Sequence, residues 1–466
     1  MQEEQDKVIK EDPLNSPTLK SSVRDGMSHA VMLGSGETYL APFAIFLKGS
    51  NFQIGLLAAL PLLIGSLSQF FGVWLTEKFS SRLKIIKFFA AFQALTWVPI
   101  ALVPYIWGFQ PASVTVLICL AVLYQTAGSI ILPAWNSLIG EIVPVETRGR
   151  FFGYRNRQVG LMTFVSMIMA GKTLHLFDKG ETTAYGYTLI FLIAMCARLM
   201  SLKFLSRYPD PAYHVKQEER FTFKQFLLNS PKSNFARFVF FFACMNFAAY
   251  IAGPYFGMYL LNDLKISYSE YTLIIASITI SQFLAMNYWG KLTDQFGNKM
   301  ILNFCSCGVA LVPFAWLLTA NIYWIMLIQV VSGFVWAGFN LSAANFIFDA
   351  VTPPKRARCV AYQAVVNSSF IFTGSIIGAS LAALLPAVKY SDLGMNLPDS
   401  VYPMIFTISG FIRLVILILL LRTFKEVRDV GNLKHRDLIF RITSLKPLSG
   451  ISFGLITGKI IKKKQE

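Results

Sequence analysis

The sequence predicts an all-α membrane protein of twelve transmembrane helices in two pseudo-symmetric halves of six. Three observations carry this. The chain is 55% hydrophobic and 14% charged, where a soluble domain carries about 25% charged residues. Apolar runs of about 20 residues, enough to cross a bilayer, recur along its length. The second half also repeats features of the first at a nearly constant offset. Backbone amides in lipid must be satisfied within a helix or a closed barrel, and these continuous runs lack the period-two alternation of a barrel strand.

In order, the runs lie near 24–47, 52–75, 85–107, 112–138, 156–176, 185–206, 237–261, 270–290, 300–319, 321–348, 360–387 and 401–421. Residues 1–22 are polar and acidic-leading and are expected to be unstructured. Segments 23–207 and 237–422 form the two six-helix halves. Between them, 208–236 is a linker whose Phe221, Phe223, Phe226 and Leu227 suit an amphipathic stretch on the membrane surface. The tail, 423–466, is basic, ends Lys462-Lys463-Lys464 and suits anionic lipid headgroups. A polar start and a long first apolar run do not fit a cleavable signal peptide, so that run is expected to stay as a helix.

Basic residues set the orientation, because Lys and Arg in short loops stay on the cytoplasmic side. With the N-terminus inside, the cytoplasmic segments hold Lys78, Arg82, Lys84 and Lys87, then Arg148, Arg150, Arg155 and Arg157, then Lys291 and Lys299, then Lys355, Arg356 and Arg358. The outer loops hold Lys48, Lys172, Lys179, Lys265 and Lys389, so about 35 of the 42 basic residues fall inside. A multi-pass protein of the cytoplasmic (plasma) membrane with both termini cytoplasmic follows. The net charge of +17 is then a product of topology and not a sign of nucleic-acid binding. The six cysteines fall within spans or at a cytoplasmic end, and Cys305-x-Cys307 inside an apolar helix reads as packing, not metal binding.

The repeat is visible in residues. Leu75-Thr76-Glu77-Lys78-Phe79 is echoed by Leu292-Thr293-Asp294-Gln295-Phe296, 217 residues later. Glu141, followed by Arg148-x-Arg150, is echoed by Asp349, followed by Arg356-x-Arg358, with an offset of 208 between the carboxylates. Arg198 and Arg207 recur as Arg413 and Arg422 at an offset of 215. Two parallel halves related by an axis along the membrane normal are a transporter architecture, with the solute site at the midplane between them.

Gly290-Lys291-Leu292-Thr293-Asp294-Gln295-Phe296-Gly297-Asn298-Lys299 resembles the loop motif of the major facilitator superfamily, departing from it at Gln295 and Asn298. The first-half copy is more degraded, with Val73 for the glycine, Glu77 for the aspartate and Ser80 for the second glycine. Pro133-Ala134-Trp135-Asn136-Ser137 and the stretch from Arg148 to Arg157 also resemble the connection between spans four and five in bacterial members. The resemblance implies rocker-switch alternating access in a monomer. Spans one, four, seven and ten would line the cavity, and three, six, nine and twelve would lie outside. A small-molecule substrate is implied, driven by a proton or other ion gradient and with no organic cofactor, metal or enzymatic activity. It also implies a cytoplasmic gate in which Glu77 and Asp294 face Arg148, Arg150, Arg356 and Arg358 and part as the protein turns inward. Any one of these arginines could instead be a solvated loop residue.

Within the lining spans, Glu37 stands out. A carboxylate inside a membrane span costs about 2.5 kcal/mol or more unless protonated, paired or wetted, so its default reading is functional. It is the candidate for proton or substrate coupling. Thr38, Tyr124, Gln125, Asn136, Asn246, Tyr250, Gln329, Trp336 and Asn340 are the candidate lining of the substrate cavity, as amides and aromatic rings suit a polar organic solute. Interhelical hydrogen bonding is the bland reading of each. His29 lies near the inner end of its helix and is a weaker candidate for a proton shuttle. Arg198 and Arg413 suit a structural role, pairing with a carboxylate or with carbonyls of a neighbouring helix. Gly374-x-x-x-Gly378 is a close-packing signal.

The expected function is secondary transport of a small solute with proton coupling through Glu37. An uncoupled facilitator in which Glu37 binds a cationic solute is the alternative within the class. A non-transporting receptor or scaffold on the same fold is the alternative outside it.

Overall fold

Span 1 is not one helix. In the computed structural model, which describes residues 16–79, 81–144, 147–178, 182–211, 233–351 and 353–428, it runs as Pro17–Ser35, turns through a 3-10 segment Glu37–Tyr39 and resumes as Leu40–Phe46. Proline at the first helical position is preorganised for that start. Leu19, Ser21, Ser22, Val23 and Asp25 are buried. The stretch 17–22, expected to be unstructured, is therefore the first turn of span 1 and enters the bundle, while residues 1–15 lie outside the described ones.

Eleven further spans follow: Asn51–Phe79 (span 2), Arg82–Leu95 with Trp97–Trp107 (span 3), Pro111–Ile142 (span 4), Arg148–Leu176 (span 5) and Thr183–Leu205 (span 6). The second half has Asn234–Ala252, Tyr255–Met258 and a π turn Tyr259–Asp263 (span 7), then Tyr268–Phe296 (span 8) and Asn298–Ala315 (span 9). Ile322–Ala350 (span 10), Pro353–Leu384 (span 11) and Tyr402–Leu420 (span 12) complete it. Among the described residues, eleven helices are long and apolar enough to cross a membrane. Pro17–Ser35 is not one of them, because Lys20, Arg24, Asp25 and His29 make it polar. Most of the expected linker, 212–232, and the tail beyond 428 lie outside the described residues.

Packing repeats with a shift of six spans. Span 1 packs on spans 5 and 6, as span 7 does on 11 and 12; span 2 packs on 4, as 8 does on 10; span 3 packs on 4 and 6, as 9 does on 10 and 12. The halves meet along spans 2 and 11 and along spans 5 and 8. Small residues permit the closest crossings. A Cβ on Gly374 would lie 2.2 Å from the Phe247 carbonyl oxygen, and one on Gly378 would lie 2.1 Å from that of Ile251. Spans 8 and 9 are joined by Gly297 alone, at φ 80°, where a side chain would be strained.

Candidate functional site

The break in span 1 sets the site. Glu37 begins the 3-10 turn, and its Oε2 accepts a hydrogen bond from the Tyr124 hydroxyl of span 4 at 2.9 Å. Tyr124 is 2% exposed and its ring stands edge-on to Trp97 of span 3, with centroids 5.0 Å apart. Glu37 itself is exposed, because it faces a cavity of about 350 Å³.

Helical spacing explains the rest of the lining on span 1. Asp25, His29, Leu33 and Glu37 recur every fourth residue, so they share one face, and all four line the cavity. From Asp25 to Glu37 is about 18 Å at 1.5 Å per residue. Span 3 contributes Gln93, span 4 contributes Tyr124, Gln125, Ser129 and Trp135, span 5 contributes Arg155 and span 6 contributes Arg198.

At the far end of this cavity sits a charged cluster that sequence reasoning did not assemble. Ser201 Oγ donates to Asp25 Oδ1 at 2.6 Å, and Arg198 Nη1 donates to Ser201 Oγ at 2.9 Å. The Tyr208 hydroxyl lies 3.4 Å from Asp25 Oδ2, and Arg155 Nη2 lies 3.8 Å from the same oxygen. Arg155 also donates Nε to the Ser22 carbonyl at 3.2 Å and sits over the Trp135 ring at 4.6 Å. Positive-side counting places Arg155 in a loop, but it lies inside the helix of span 5 and turns into the bundle. The four-residue spacing from Asp25 to Glu37 is the signal that could have revealed Asp25.

The other expected lining residues are dispersed. Glu37, Tyr124 and Gln125 come together, whereas Thr38 donates to the Leu33 carbonyl at 3.0 Å within span 1, and Asn136 is exposed on span 4. In the second half, Asn246 donates to Phe242 O at 3.0 Å, Gln329 is 9% exposed, Tyr250 is half-buried, Trp336 stands edge-on to Phe339 and Asn340 is exposed. None of these five lines the cavity around Glu37. Arg413 donates to the carbonyls of Val309 (2.8 Å) and Ala249 (3.4 Å), in the manner of a structural arginine.

Of the expected gate residues, Arg148 and Asp294 make contacts on their own side of the repeat. Arg148 Nη2 donates to the Gly140 carbonyl at 2.8 Å, Asp294 lies 3.4 Å from Arg428, Arg150 is exposed and Arg358 is half-buried. The side chains of Glu77 and Arg356 lie outside the described residues. Each half instead ties its own helix ends together, with Arg82 Nη2 donating to Glu141 Oε2 at 2.5 Å and Asn298 Nδ2 to Asp349 Oδ2 at 2.5 Å.

Among the described residues, the polar contacts seen between the halves lie toward the end away from those loops. The Tyr39 hydroxyl lies 2.8 Å from Thr272 Oγ1, the Tyr402 hydroxyl donates to Asn51 Oδ1 at 2.8 Å, and Ser375 Oγ donates to the Gly55 carbonyl at 2.8 Å. Nearer the middle, Ser66 and Ser368 hydroxyls are 2.6 Å apart. These hydroxyls and amides tie the halves together on the side opposite the basic loops.

The chain resembles several solved membrane proteins. The nucleoside transporter NupG superposes with a TM-score of 0.65 at 15% identity, over 88% of this chain and 99% of its own. A bacterial homologue of the human lysosomal transporter Spinster, inward-facing and occupied, gives 0.65 at 15% identity over 89% and 96%. A D-xylose-proton symporter gives 0.64 at 13% identity over 88% and 97%. No curated protein matches the chain by sequence. The Major Facilitator Superfamily model matches residues 28–251 and again 238–461; with one match for each half of the repeat, the chain belongs to the Major Facilitator Superfamily of membrane transporters.

Proposed function

We propose that this protein is a secondary transporter of a small polar solute, coupled to protons through Glu37, with the cavity opening toward a cytoplasmic basic face. One observation carries the reading. An intramembrane carboxylate lies in a cavity whose wall also holds Asp25, His29, Arg155 and Arg198, hydrogen-bonded by a tyrosine and by no cation within bonding distance among the described residues. Ionisable groups so placed mark proton relays and solute paths. Latching of the halves by Tyr39, Asn51, Thr272 and Tyr402 at the opposite end supports an inward-facing arrangement. An open cavity with charged side chains in its wall also favours transport over a scaffold, whose interior would be filled by Phe and Leu.

An uncoupled facilitator holding a cation at Glu37 is less well supported, because Arg155 and Arg198 share the cavity and repel one. The test is a ligand thermal-shift screen of the purified protein at two pH values, repeated with Glu37→Gln. A solute whose stabilisation depends on pH in the wild type, and not in the variant, supports coupling through Glu37. Stabilisation indifferent to both pH and the substitution removes it.

A further inference from the structure

Charge is arranged unevenly along the cavity. Glu37 stands with Tyr124 at one end, and the guanidinium groups of Arg155 and Arg198 converge with Asp25 at the other. The titratable and charged groups that line it are Asp25, His29 and Glu37 from span 1, Tyr124 from span 4, Arg155 from span 5 and Arg198 from span 6, while span 3 offers neutral Gln93. With both carboxylates ionised and His29 neutral, the two arginines are balanced. Once Glu37 takes a proton, the lining carries one excess positive charge.

Both arginines keep donor capacity. Arg155 Nη2 is 3.8 Å from Asp25, beyond hydrogen-bond distance, and its side chain is 13% exposed. Arg198 is 4% exposed, and its Nε, fully buried, has no hydrogen-bond partner among the described residues. The Nε atoms of Arg148 and Arg413 are likewise buried without a partner, so it is the position of the Arg155 and Arg198 side chains in the cavity wall that marks this pair. Guanidinium forks match the geometry of carboxylates, and the Trp135 ring beneath Arg155 holds that fork in place.

We propose that the Arg155–Arg198 end of the cavity is an anion subsite, and that the solute is an organic monoanion, such as a carboxylate, carried together with one proton on Glu37. The stoichiometry rests on the coupling reading above; the subsite does not. The only bond made and broken is the O–H of protonated Glu37. The proton binds the Glu37 carboxylate, the anion neutralises the resulting excess charge, and both leave on the other side, so no net charge crosses.

The test uses three probes with one ring and different charge: benzoate, benzamide and benzylamine, each added at millimolar concentration to the purified protein at about pH 5.5 and 7.5. Benzoate is expected to raise the Tm by about 2–4 °C at the lower pH and less at the higher, with benzamide and benzylamine inert. Arg155→Gln abolishes the shift, Arg155→Lys keeps part of it, and Asp25→Asn enlarges it at pH 7.5 by removing the competing carboxylate. A purely structural Asp25 would give no such gain. No benzoate shift, an equal shift with benzamide or benzylamine, or a benzoate shift that survives Arg155→Gln each overturns the subsite. A benzoate shift that needs Arg155 but ignores pH keeps the subsite and removes the coupling. A pH-dependent shift confined to benzamide does the reverse.

Discussion

Arg428 donates Nε to Asp349 Oδ2 at 2.8 Å, and so supplies from beyond span 12 the guanidinium that the first half takes from Arg82 at the start of span 3. The positions correspond: Asn298 stands 216 residues after Arg82, and it offers Asp349 a neutral amide in place of a guanidinium. Asp210 and Glu426, also 216 residues apart, accept from the backbone N–H groups of Leu83 and Lys299 at the starts of spans 3 and 9. Desolvation works against the charge on Arg428, but Asp349 and Asp294 outweigh it and hold its pKa above the ordinary value.

This asymmetry orders two substitutions. Arg82 is buried while its partner Glu141 is half exposed. Arg82→Ala should therefore cost about 1–3 kcal/mol, below the figure for a fully buried pair because Glu141 can rehydrate. Arg428 is 35% exposed, and Arg428→Ala should cost under about 1 kcal/mol. Thermal unfolding in detergent reads both, and an equal or reversed order would count against the assigned equivalence.

Tyr124→Phe isolates the hydroxyl that serves Glu37. The ring keeps its edge contact with Trp97, so the fold should hold within about 1 kcal/mol. A hydrogen bond to a charged group contributes about 1.5–3 kcal/mol, and coupled uptake into proteoliposomes should fall by about 10–100-fold. Uptake at the wild-type rate would place the titrating function elsewhere.

Gly374 and Gly378 predict a packing defect without a functional residue being touched. Valine at Gly378 drives its side chain into the Ile251 carbonyl across spans 7 and 11, and such overpacking costs about 1–3 kcal/mol. Gly394→Ala provides no steric comparison, because its φ of 67° adds strain of its own, so Gly140→Ala, which meets nothing within 4 Å, is the control. The Gly378→Val protein should unfold at a lower temperature, and the Gly140→Ala protein at the wild-type temperature or slightly above it, since alanine is the better helix former.

What was legible in the chain follows from what hydropathy measures. Glu37 was plain because it stands in the middle of an apolar run, far from either end, and Gly374-x-x-x-Gly378 because small residues at that spacing allow helices to touch. Asp25 and Arg155 were hidden for the opposite reason. They lie near the basic ends of their helices, where polar residues pass for loop, and only packing against Trp135 and Ser201 shows that they turn inward. The early start of span 1 escaped likewise, since Ser21, Ser22 and Asp25 are buried by neighbouring helices and not by lipid. A mean over residues cannot separate those two kinds of burial. The turn at Glu37–Tyr39 left no trace in hydropathy.

Two tyrosines offer a test of the latch between the halves. The Tyr39 hydroxyl also donates to the Met167 carbonyl at 2.7 Å, so it joins spans 1, 5 and 8 at once, while Tyr402 ties span 12 to Asn51 at the start of span 2. Both rings pack in buried apolar surroundings, which phenylalanine can fill without the hydroxyl. Each hydrogen bond contributes about 0.5–1.5 kcal/mol, so removing both costs the latched state about 1–3 kcal/mol. Hydrogen bonds made in one state alone bias the equilibrium by their full strength, and deleting these two shifts it by a factor of about 5–150 toward opening on that side. Spin labels placed at the ends of spans 1 and 8 nearest Tyr39 and Thr272 should show a longer distance population growing in the Tyr39→Phe, Tyr402→Phe double variant. A distribution unchanged from the wild type would mean that apolar packing along spans 2 and 11 and spans 5 and 8, not these hydroxyls, holds the halves together.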